Sequence, residues 1–174
     1  MNKKIFIMRG LPGSGKSTRV HELMMSNCVD NSVYEDHVFS ADNYWIRGFD
    51  AVGSMSKDEF YKSNFDATKL FLAHQWNNSR IETAIKTGVS PIIFDNTNVR
   101  KRDYRFLIDH SHTFQYEVEI CEPTSPWWIE YRPYIKSKDE EKLKEFAKIL
   151  ANKNVHGCPE EVIFKGLMKW QEND

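Results

Sequence analysis

The stretch Gly10-Leu-Pro-Gly-Ser-Gly-Lys-Ser17 decides the fold, because of what precedes and follows it. An apolar run at residues 5–8 comes directly before it and predicts a short buried strand. A helical pattern of apolar residues begins at Lys16 and continues to about Ser26. The stretch matches G-x-x-x-x-G-K-[ST], in which glycines let the backbone turn so that its N–H groups converge. The chain is therefore expected to open with a strand, an anion-binding loop and a helix.

Three further apolar runs, at residues 37–40, 91–94 and 114–121, predict strands. Between them, residues 65 to about 86 carry apolar positions at helical spacing, and Gly88 ends that pattern. Strands that alternate with helices form parallel sheets covered by helices. We therefore expect an α/β chain with the three-layer P-loop NTPase fold and a mostly parallel central sheet.

Three other helix starts carry their own signals. The segments Ser56-Lys-Asp-Glu59 and Ser137-Lys-Asp-Glu140 each fit a capping box, in which serine and glutamate satisfy free backbone N–H groups. Pro159 is followed by two glutamates, which predicts a last helix with proline at its first position.

Length and composition narrow the class of protein. The 174 residues are 40% hydrophobic, which predicts one folded domain over residues 1–174. A net charge of −1 argues against coating duplex DNA by charge, but leaves room for a nucleic-acid end in a local groove. The three cysteines are too sparse for a disulfide scaffold or a zinc site and predict a reducing, cytoplasmic location. No apolar stretch approaches the roughly 18 residues of a membrane span, and we expect no membrane contact.

The glycine-rich loop predicts a nucleoside triphosphate with Mg²⁺. Lys16 is expected to bridge the β- and γ-phosphates, and Ser17 to hold the metal ion. The positive end of the following helix adds to the attraction for phosphate. The residues predicted to bind the nucleotide are Gly10, Gly13, Ser14, Gly15, Lys16, Ser17 and Thr18.

Two carboxylates follow predicted strands, where the ligands of parallel sheets bind. Asp42 follows the second strand and fits equally well a base that accepts a hydroxyl proton or a cap of the next turn. Asp95 ends the third strand in the pattern of an acidic residue that supports Mg²⁺. Asn96 and Asn98 come next, and either contact an acceptor or cap the following helix.

Residues 153–159 lie between two predicted helices and place a cation and a histidine on a loop. Lys153 there could supply positive charge to a transferring phosphate, although a lone lysine in a loop is more often solvated. His156 fits a structural role as well as a functional one. His74 and Trp76 lie in the middle of the long helix, and we assign them to packing.

Five segments in order resemble the P-loop 5′-hydroxyl polynucleotide kinase family, which includes the kinase halves of phage polynucleotide kinase/phosphatases and small domains marked by an HGVP signature. They are Met8-Arg-Gly-Leu-Pro-Gly-Ser-Gly-Lys-Ser-Thr18, Phe39-Ser-Ala-Asp42, Ala73-His-Gln-Trp-Asn77, Ile93-Phe-Asp-Asn-Thr-Asn98 and Asn154-Val-His-Gly-Cys-Pro-Glu160.

The resemblance implies a kinase that moves the γ-phosphate of ATP to a hydroxyl, often the 5′-OH of DNA or RNA. It implies Asp42 as the general base, and a C-terminal lid or insert at about residues 124–158 with Lys153 at the transferring phosphate. The family has a shorter Asp-Thr-Asn segment, so either Asp95 or Asn96 takes its acidic position.

This sequence departs from the family at two positions. Lys153 stands where the lid usually has arginine, and lysine lacks the planar two-pronged grip of a guanidinium. Trp45 stands where the phage enzyme has an acceptor-binding arginine, with Arg47 two residues later. Trp45 fits either stacking on a base or packing in the core. The first departure predicts slower transfer or an arginine elsewhere in the same role, and the second concerns the acceptor more than the chemistry. The predicted acceptor contacts are Trp45, Arg47, Asn96, Asn98 and His156.

Three hypotheses follow for function. The first is a kinase for a single-stranded nucleic-acid end. Residues 100–105 and 132–153 each carry a local surplus of positive charge, which fits guidance of a phosphate backbone as well as it fits solvated helix faces. The second is a kinase for a small nucleoside, a nucleotide or a modified base in DNA. The third is an ATP-binding switch with little turnover.

Overall fold

The computed structural model describes residues 2–51 and 55–173 and contains a four-stranded, fully parallel sheet. The strands lie in the order β2-β3-β1-β4. Their bounds are Lys3–Met8 for β1, Val38–Phe39 for β2, Ile92–Asp95 for β3 and Tyr116–Cys121 for β4. The prediction of four strands in a parallel sheet is confirmed. Because Met8 pairs with both Asp95 and Cys121, the three longer strands end at one level of the sheet.

The described residues contain eight α-helices, joined in places by short 3-10 helices of three to six residues. Their bounds are Lys16–Ser26 (α1), Tyr34–His37 (α2), Lys57–Asn64 (α3), Leu70–Thr87 (α4), Arg105–Phe114 (α5), Pro126–Ser137 (α6), Glu140–Lys153 (α7) and Glu160–Met168 (α8). None of the helices in these two ranges is both long and apolar enough to cross a membrane.

The helix starts confirm some sequence signals and correct others. Ser56 forms the predicted capping box with Glu59 at the start of α3. The second box is wrong, because Ser137 is the last residue of α6 and the Asp139 side chain caps α7 instead. The prediction that Pro159 is the first residue of the last helix is wrong by one position, because α8 begins at Glu160 and Pro159 is the residue before it.

The sheet is the middle of three layers. Side chains alternate between its two faces, and helices cover both faces. One face packs against α4 and α5, in a cluster that includes Ile5, Ile7, Phe94, Ile81 and Leu107. The opposite face packs against α1, in a cluster that includes Phe6, Met8, Ile93, Val20 and Met24. This alternation is expected of strands whose successive side chains point to opposite faces.

Helices α6, α7 and α8 form a separate apolar cluster beside the sheet. Its buried residues include Trp128, Phe146, Leu150, Ile163 and Leu167. Leu11 of the glycine-rich loop belongs to the same cluster. The helical cluster and the loop are therefore packed as one body, and the C-terminal helices position the loop.

Arg9, which follows β1, is fully buried and holds the carboxyl end of the sheet to the C-terminal segment. Its guanidinium donates to the carbonyls of Asn98, Val99 and Gln171 and to the side chain of Asn173, over 2.6–3.1 Å. The charge also lies 4.1 Å from the centre of the Trp170 ring. Burial lowers the pKa of Arg9. The four hydrogen-bond acceptors around the guanidinium compensate for its loss of contact with water.

Arg9→Met is expected to lower the free energy of unfolding by about 3 kcal/mol or more, because several buried acceptors lose a charged donor. Chemical denaturation followed by circular dichroism measures this loss. Arg102→Met is the matched control, since the Arg102 side chain is 74% exposed. Equal stability of the two variants would contradict the role given to Arg9.

Candidate functional site

The glycine-rich loop adopts a conformation that only glycines fit well. Gly13 and Gly15 have φ values of +78° and +95°, in the left-handed region. A β-carbon on Gly13 would also overlap the carbonyl oxygen of Leu150 in α7. The glycine at this position therefore serves the turn and the close approach of the C-terminal end of α7.

The amino end of α1 is free to bind an anion. Its cap residue is Gly15, and among the described residues no side chain caps it and no acidic residue lies in its first turn. The first N–H groups of a helix have no acceptor within the helix, so those of Lys16, Ser17 and Thr18 remain available. A free helix terminus with a lysine beside it is the arrangement that binds phosphate groups.

Side chains at the start of α6 hold the glycine-rich loop by donating hydrogen bonds to carbonyl groups of the loop. The Ser125 hydroxyl donates to the Ser14 carbonyl at 2.7 Å, and the Trp127 indole donates to the Gly13 carbonyl at 3.1 Å. Both bonds engage carbonyl groups of the loop, so they leave the N–H groups at the start of α1 unoccupied. The Lys153 ammonium lies 4.0 Å from the centre of the Trp127 ring, which places this cation beside the loop.

Asp95 is the last residue of β3 and lies beside the loop at the carboxyl edge of the sheet. Its Oδ1 is buried and has no hydrogen-bond partner among residues 2–51 and 55–173. Burial raises the pKa of the Asp95 carboxyl, whereas the nearby Lys16 ammonium lowers it and Asp42 raises it. The charges of Lys16 and of Asp42 therefore each lie close enough to Asp95 to act on its carboxyl.

Asp42 presents its carboxylate at the same edge and is not the cap of its turn. It lies in a short 3-10 helix, Ala41–Ile46, whose cap is the Ser40 hydroxyl accepting from the Asp42 N–H. The Asp42 carboxylate accepts instead from the Tyr61 hydroxyl, at 3.1 Å. The side chain is thus held by one partner while remaining accessible.

Sequence reasoning missed Tyr61, which carries no recognisable motif. The residue lies on α3, is 7% exposed, and reaches Asp42 across 19 positions of sequence. Burial raises the pKa of Tyr61 well above its ordinary value, and the negative charge of the nearby Asp42 carboxylate raises it further. The hydroxyl therefore stays protonated and acts as a hydrogen-bond donor to Asp42.

The segment after α7 closes over Tyr61. The His156 ring lies 4.5 Å from the Tyr61 ring, and its Nδ1 is 4.0 Å from an Asp58 carboxylate oxygen. Asn154 braces the turn by accepting from the Cys158 N–H at 2.7 Å. The sequence predicted Lys153 in this loop. That prediction is wrong, because Lys153 is the last residue of α7. The helix continues that far because the Asn154 N–H still bonds the Leu150 carbonyl.

The predicted acceptor residues divide into buried and exposed ones. Trp45 is 4% exposed and packs edge-on against Phe65, so it belongs to the core. The Asn96 side chain accepts from the Ala41 N–H, and the Asn98 side chain donates to the Met8 carbonyl. These two amides hold the strand ends together. Arg47 and His156 remain exposed at the surface.

Ser17 and Asp95 fit a magnesium site by the chemistry of their donor atoms. Mg²⁺ takes oxygen ligands, commonly one or two protein groups with phosphate and water completing the shell. The buried, unpartnered Oδ1 of Asp95 is the observation that favours such an ion. Among the described ranges there is no cluster of three His, Cys, Asp or Glu side chains that could hold a metal by itself.

Comparison with known proteins agrees with this geometry. A family model described as an AAA domain, AAA_33, matches residues 5–147. Human NEDD4-binding protein 2 is 31% identical over 168 residues, which is 96% of this chain and 8% of that protein. The 2′,3′-cyclic-nucleotide 3′-phosphodiesterase of Pongo abelii is 28% identical over 125 residues, which is 72% of this chain and 25% of that protein. The chain thus spans a small part of each relative's length.

The matched region contains the free amino end of α1, the glycine-rich loop and the strand that ends in Asp95. These are the parts of a P-loop fold that receive a nucleotide. The chain belongs to the AAA_33 family of nucleotide-binding, P-loop kinase-like domains.

Proposed function

We propose that the chain is an ATP-dependent kinase that transfers the γ-phosphate to a hydroxyl, namely the 5′-OH end of DNA or RNA. The observation that carries the proposal is the Asp42 carboxylate, which Tyr61 orients and which lies near enough to Asp95, at the end of β3, to raise the pKa of Asp95. A phosphate-binding loop alone would serve any nucleotide-binding protein. A positioned, accessible carboxylate beside it supplies what transfer to a hydroxyl requires, a base for the departing proton.

The proposed reaction uses the residues of this chain as follows. Lys16 and the first N–H groups of α1 bind the β- and γ-phosphates. Ser17 and Asp95 would hold Mg²⁺, which neutralises phosphate charge when bound. Asp42 accepts the proton of the acceptor hydroxyl, whose oxygen forms a bond to the γ-phosphorus. The bond from that phosphorus to the bridging oxygen breaks, and ADP leaves with that oxygen.

We also propose that residues 1–174 act as one domain in which residues 124–158 form the lid. Support comes from the contacts of Ser125 and Trp127 with the loop and from the His156 ring beside Tyr61. Lys153 offers positive charge from the end of α7, close to the loop. Charge at this position would stabilise the transferring phosphate as negative charge develops.

The relatives support an acceptor built from nucleotides. One of them is named for action on a 2′,3′-cyclic nucleotide, and this chain matches a quarter of its length. The net charge of −1 and the packed Trp45 favour, as a second candidate, a small nucleoside or nucleotide acceptor.

Transfer of labelled γ-phosphate tests the proposal. ATP with a labelled γ-phosphate and Mg²⁺ is incubated with 5′-OH oligonucleotides of DNA and RNA, the same strands already carrying a 5′-phosphate, and free nucleosides. Label on the 5′-OH strands and none on the 5′-phosphorylated strands is the expected result. Label on nucleosides alone would replace the proposal with the second candidate. ATP binding without transfer to any hydroxyl would indicate a switch.

Tyr61→Phe is expected to lower kcat by roughly two- to tenfold, because it removes one hydrogen bond to the base. The Kd for ATP should stay unchanged, since Tyr61 contacts Asp42 and not the loop. Steady-state kinetics at saturating oligonucleotide, together with calorimetric titration of ATP, separate the two effects. Tyr134→Phe, on α6, is the matched control, as it removes a hydroxyl away from Asp42. An unchanged kcat in Tyr61→Phe would remove the residue from the site.

A further inference from the structure

A cavity of about 270 Å³ lies between the 3-10 helix that carries Asp42 and helix α4. Asn43, Arg47, Phe49, Lys57, Trp76 and Arg80 are among the residues that line it, and we call it the Trp76 pocket. Two elements connect the pocket to Asp42: Asn43 follows Asp42 in the same 3-10 helix, and Lys57 lies one turn before Tyr61, which bonds the Asp42 carboxylate. Its volume lies just below the roughly 300–1,000 Å³ of small-molecule sites, so a ligand there would be no larger than one nucleotide unit.

The pocket has two arginines available for an anion. Three of its lining residues are cationic and two, Glu35 and Asp50, are acidic. Glu35 lies 3.9 Å from Lys57, so these two charges largely offset each other. Arg47 and Arg80 then face one remaining carboxylate, which leaves the pocket with a positive balance.

Both guanidiniums are ordered by aromatic rings. The Arg80 guanidinium lies 4.6 Å and the Arg47 guanidinium 5.4 Å from the centre of the Trp76 ring. Arg47 also lies 3.6 Å from the Tyr44 ring. The Arg47 Nε donates to the Tyr44 carbonyl at 2.9 Å, and a guanidinium held on an aromatic face presents its remaining N–H groups at its edges, where phosphate oxygens bind.

Arg80 retains hydrogen-bonding capacity at the pocket wall. Its Nη2 donates to the Glu35 carbonyl at 3.0 Å, whereas Nη1 has no partner within the described part of the chain. The Nδ2 of Asn43, another lining residue, is also buried and has no partner there. A pocket wall with unsatisfied donors, two arginines and a half-buried indole is suited to a phosphate and a base.

We propose that the Trp76 pocket binds one nucleotide of the acceptor strand, on the 3′ side of the reacting end. Arg47 and Arg80 contact its phosphate, and its base lies against Trp76. The inference rests on the proposed function, because it takes the strand's 5′ end to lie at Asp42. It gives Trp76 a binding role, where the sequence alone favoured packing. It also assigns acceptor contacts to Arg47 and Arg80, whereas Trp45, a predicted acceptor contact, is buried in the core.

The test compares Arg80→Gln and Arg47→Gln with Lys86→Gln, which removes an exposed positive charge from the same helix α4 outside the pocket. We expect KM for a 5′-OH decanucleotide to rise about tenfold in each arginine variant, from the loss of a charge-assisted contact. The kcat at saturating strand and the KM for ATP should not change, and phosphorylation of a free nucleoside should be unaffected. Lys86→Gln should resemble the wild type. Because Arg47 is exposed, its variant carries the test if Arg80→Gln fails to fold.

Binding of a fluorescently labelled decanucleotide without ATP, followed by anisotropy, separates this inference from the proposed function. Weaker binding by both arginine variants supports the pocket, even if the wild type transfers no phosphate. Unchanged affinity and unchanged KM would overturn the pocket and leave the kinase proposal standing. No binding of the decanucleotide by the wild type would also overturn it.

Discussion

Asp42→Asn is expected to lower the rate of phosphoryl transfer about a thousandfold, within the range for removal of a general base. The amide has nearly the shape of the carboxylate, and its oxygen can still accept from the Tyr61 hydroxyl. It cannot accept the proton of an attacking hydroxyl. The fold and the phosphate loop should therefore persist while the chemical step fails. Rates with saturating 5′-OH oligonucleotide measure the effect.

Two further measurements make this result specific to Asp42. The Kd for ATP should change by less than about threefold, because the proposed contacts of ATP are with the loop and α1 and not with Asp42. Asp109→Asn, which removes an exposed carboxylate on α5, should keep full activity. If Asp42→Asn retained more than about a tenth of the wild-type rate, the base assignment would fail.

Gly13→Ala should destabilise the protein and weaken ATP binding together. The left-handed conformation, with φ at +78°, costs an alanine about 1 kcal/mol. The added methyl would also overlap the Leu150 carbonyl oxygen and lie 3.2 Å from the Asn154 nitrogen. Both are backbone atoms, so the loop or the end of α7 must move. We expect a total loss of about 3 kcal/mol in the free energy of unfolding.

Gly88→Ala separates conformational strain from the close approach. Gly88 has a φ of +80°, close to that of Gly13, but a β-carbon there meets nothing within 4 Å. This variant should lose only about 1 kcal/mol and bind ATP like the wild type. Gly13→Ala should raise the Kd for ATP at least about tenfold, since the loop is displaced. Equal stability and equal ATP affinity of the two variants would show that contact between α7 and the loop does not matter.

Local sequence signals identified the elements that depend on local physics. The glycine-rich loop predicted α1 to within a residue or two, because the turn, the lysine and the helix start are encoded within a few residues of one another. The four strands were visible as apolar runs, although β2 proved to be only two residues long. A capping signal is weaker where two candidates compete. Lys138 adopts a φ of +58° after α6, which leaves Asp139 to cap α7 in place of Ser137.

The rest of the site depends on contacts between distant segments. The sequence placed Asp42 and Asp95 at strand ends, but not the Tyr61 hydroxyl that holds Asp42 from another helix. Periodicity did not distinguish Trp45 in the core from Trp76 beside a pocket, because both lie on helical segments with mixed neighbours. In the sequence, Arg9 only marks the point where an apolar run ends. In the structure, it is buried and links the sheet to the C-terminal segment.

The stacking of Lys153 on Trp127 gives the molecule an optical reporter of its own site. The indole bonds to the carbonyl of Gly13 and lies under a cation at the end of α7. Indole emission responds to nearby charge and to hydrogen bonding at its nitrogen, and we expect both to change when a triphosphate enters the loop. Trp45, Trp128 and Trp170 are shielded in the core and should add a steadier background. Nucleotide binding can therefore be followed by intrinsic fluorescence, without a label.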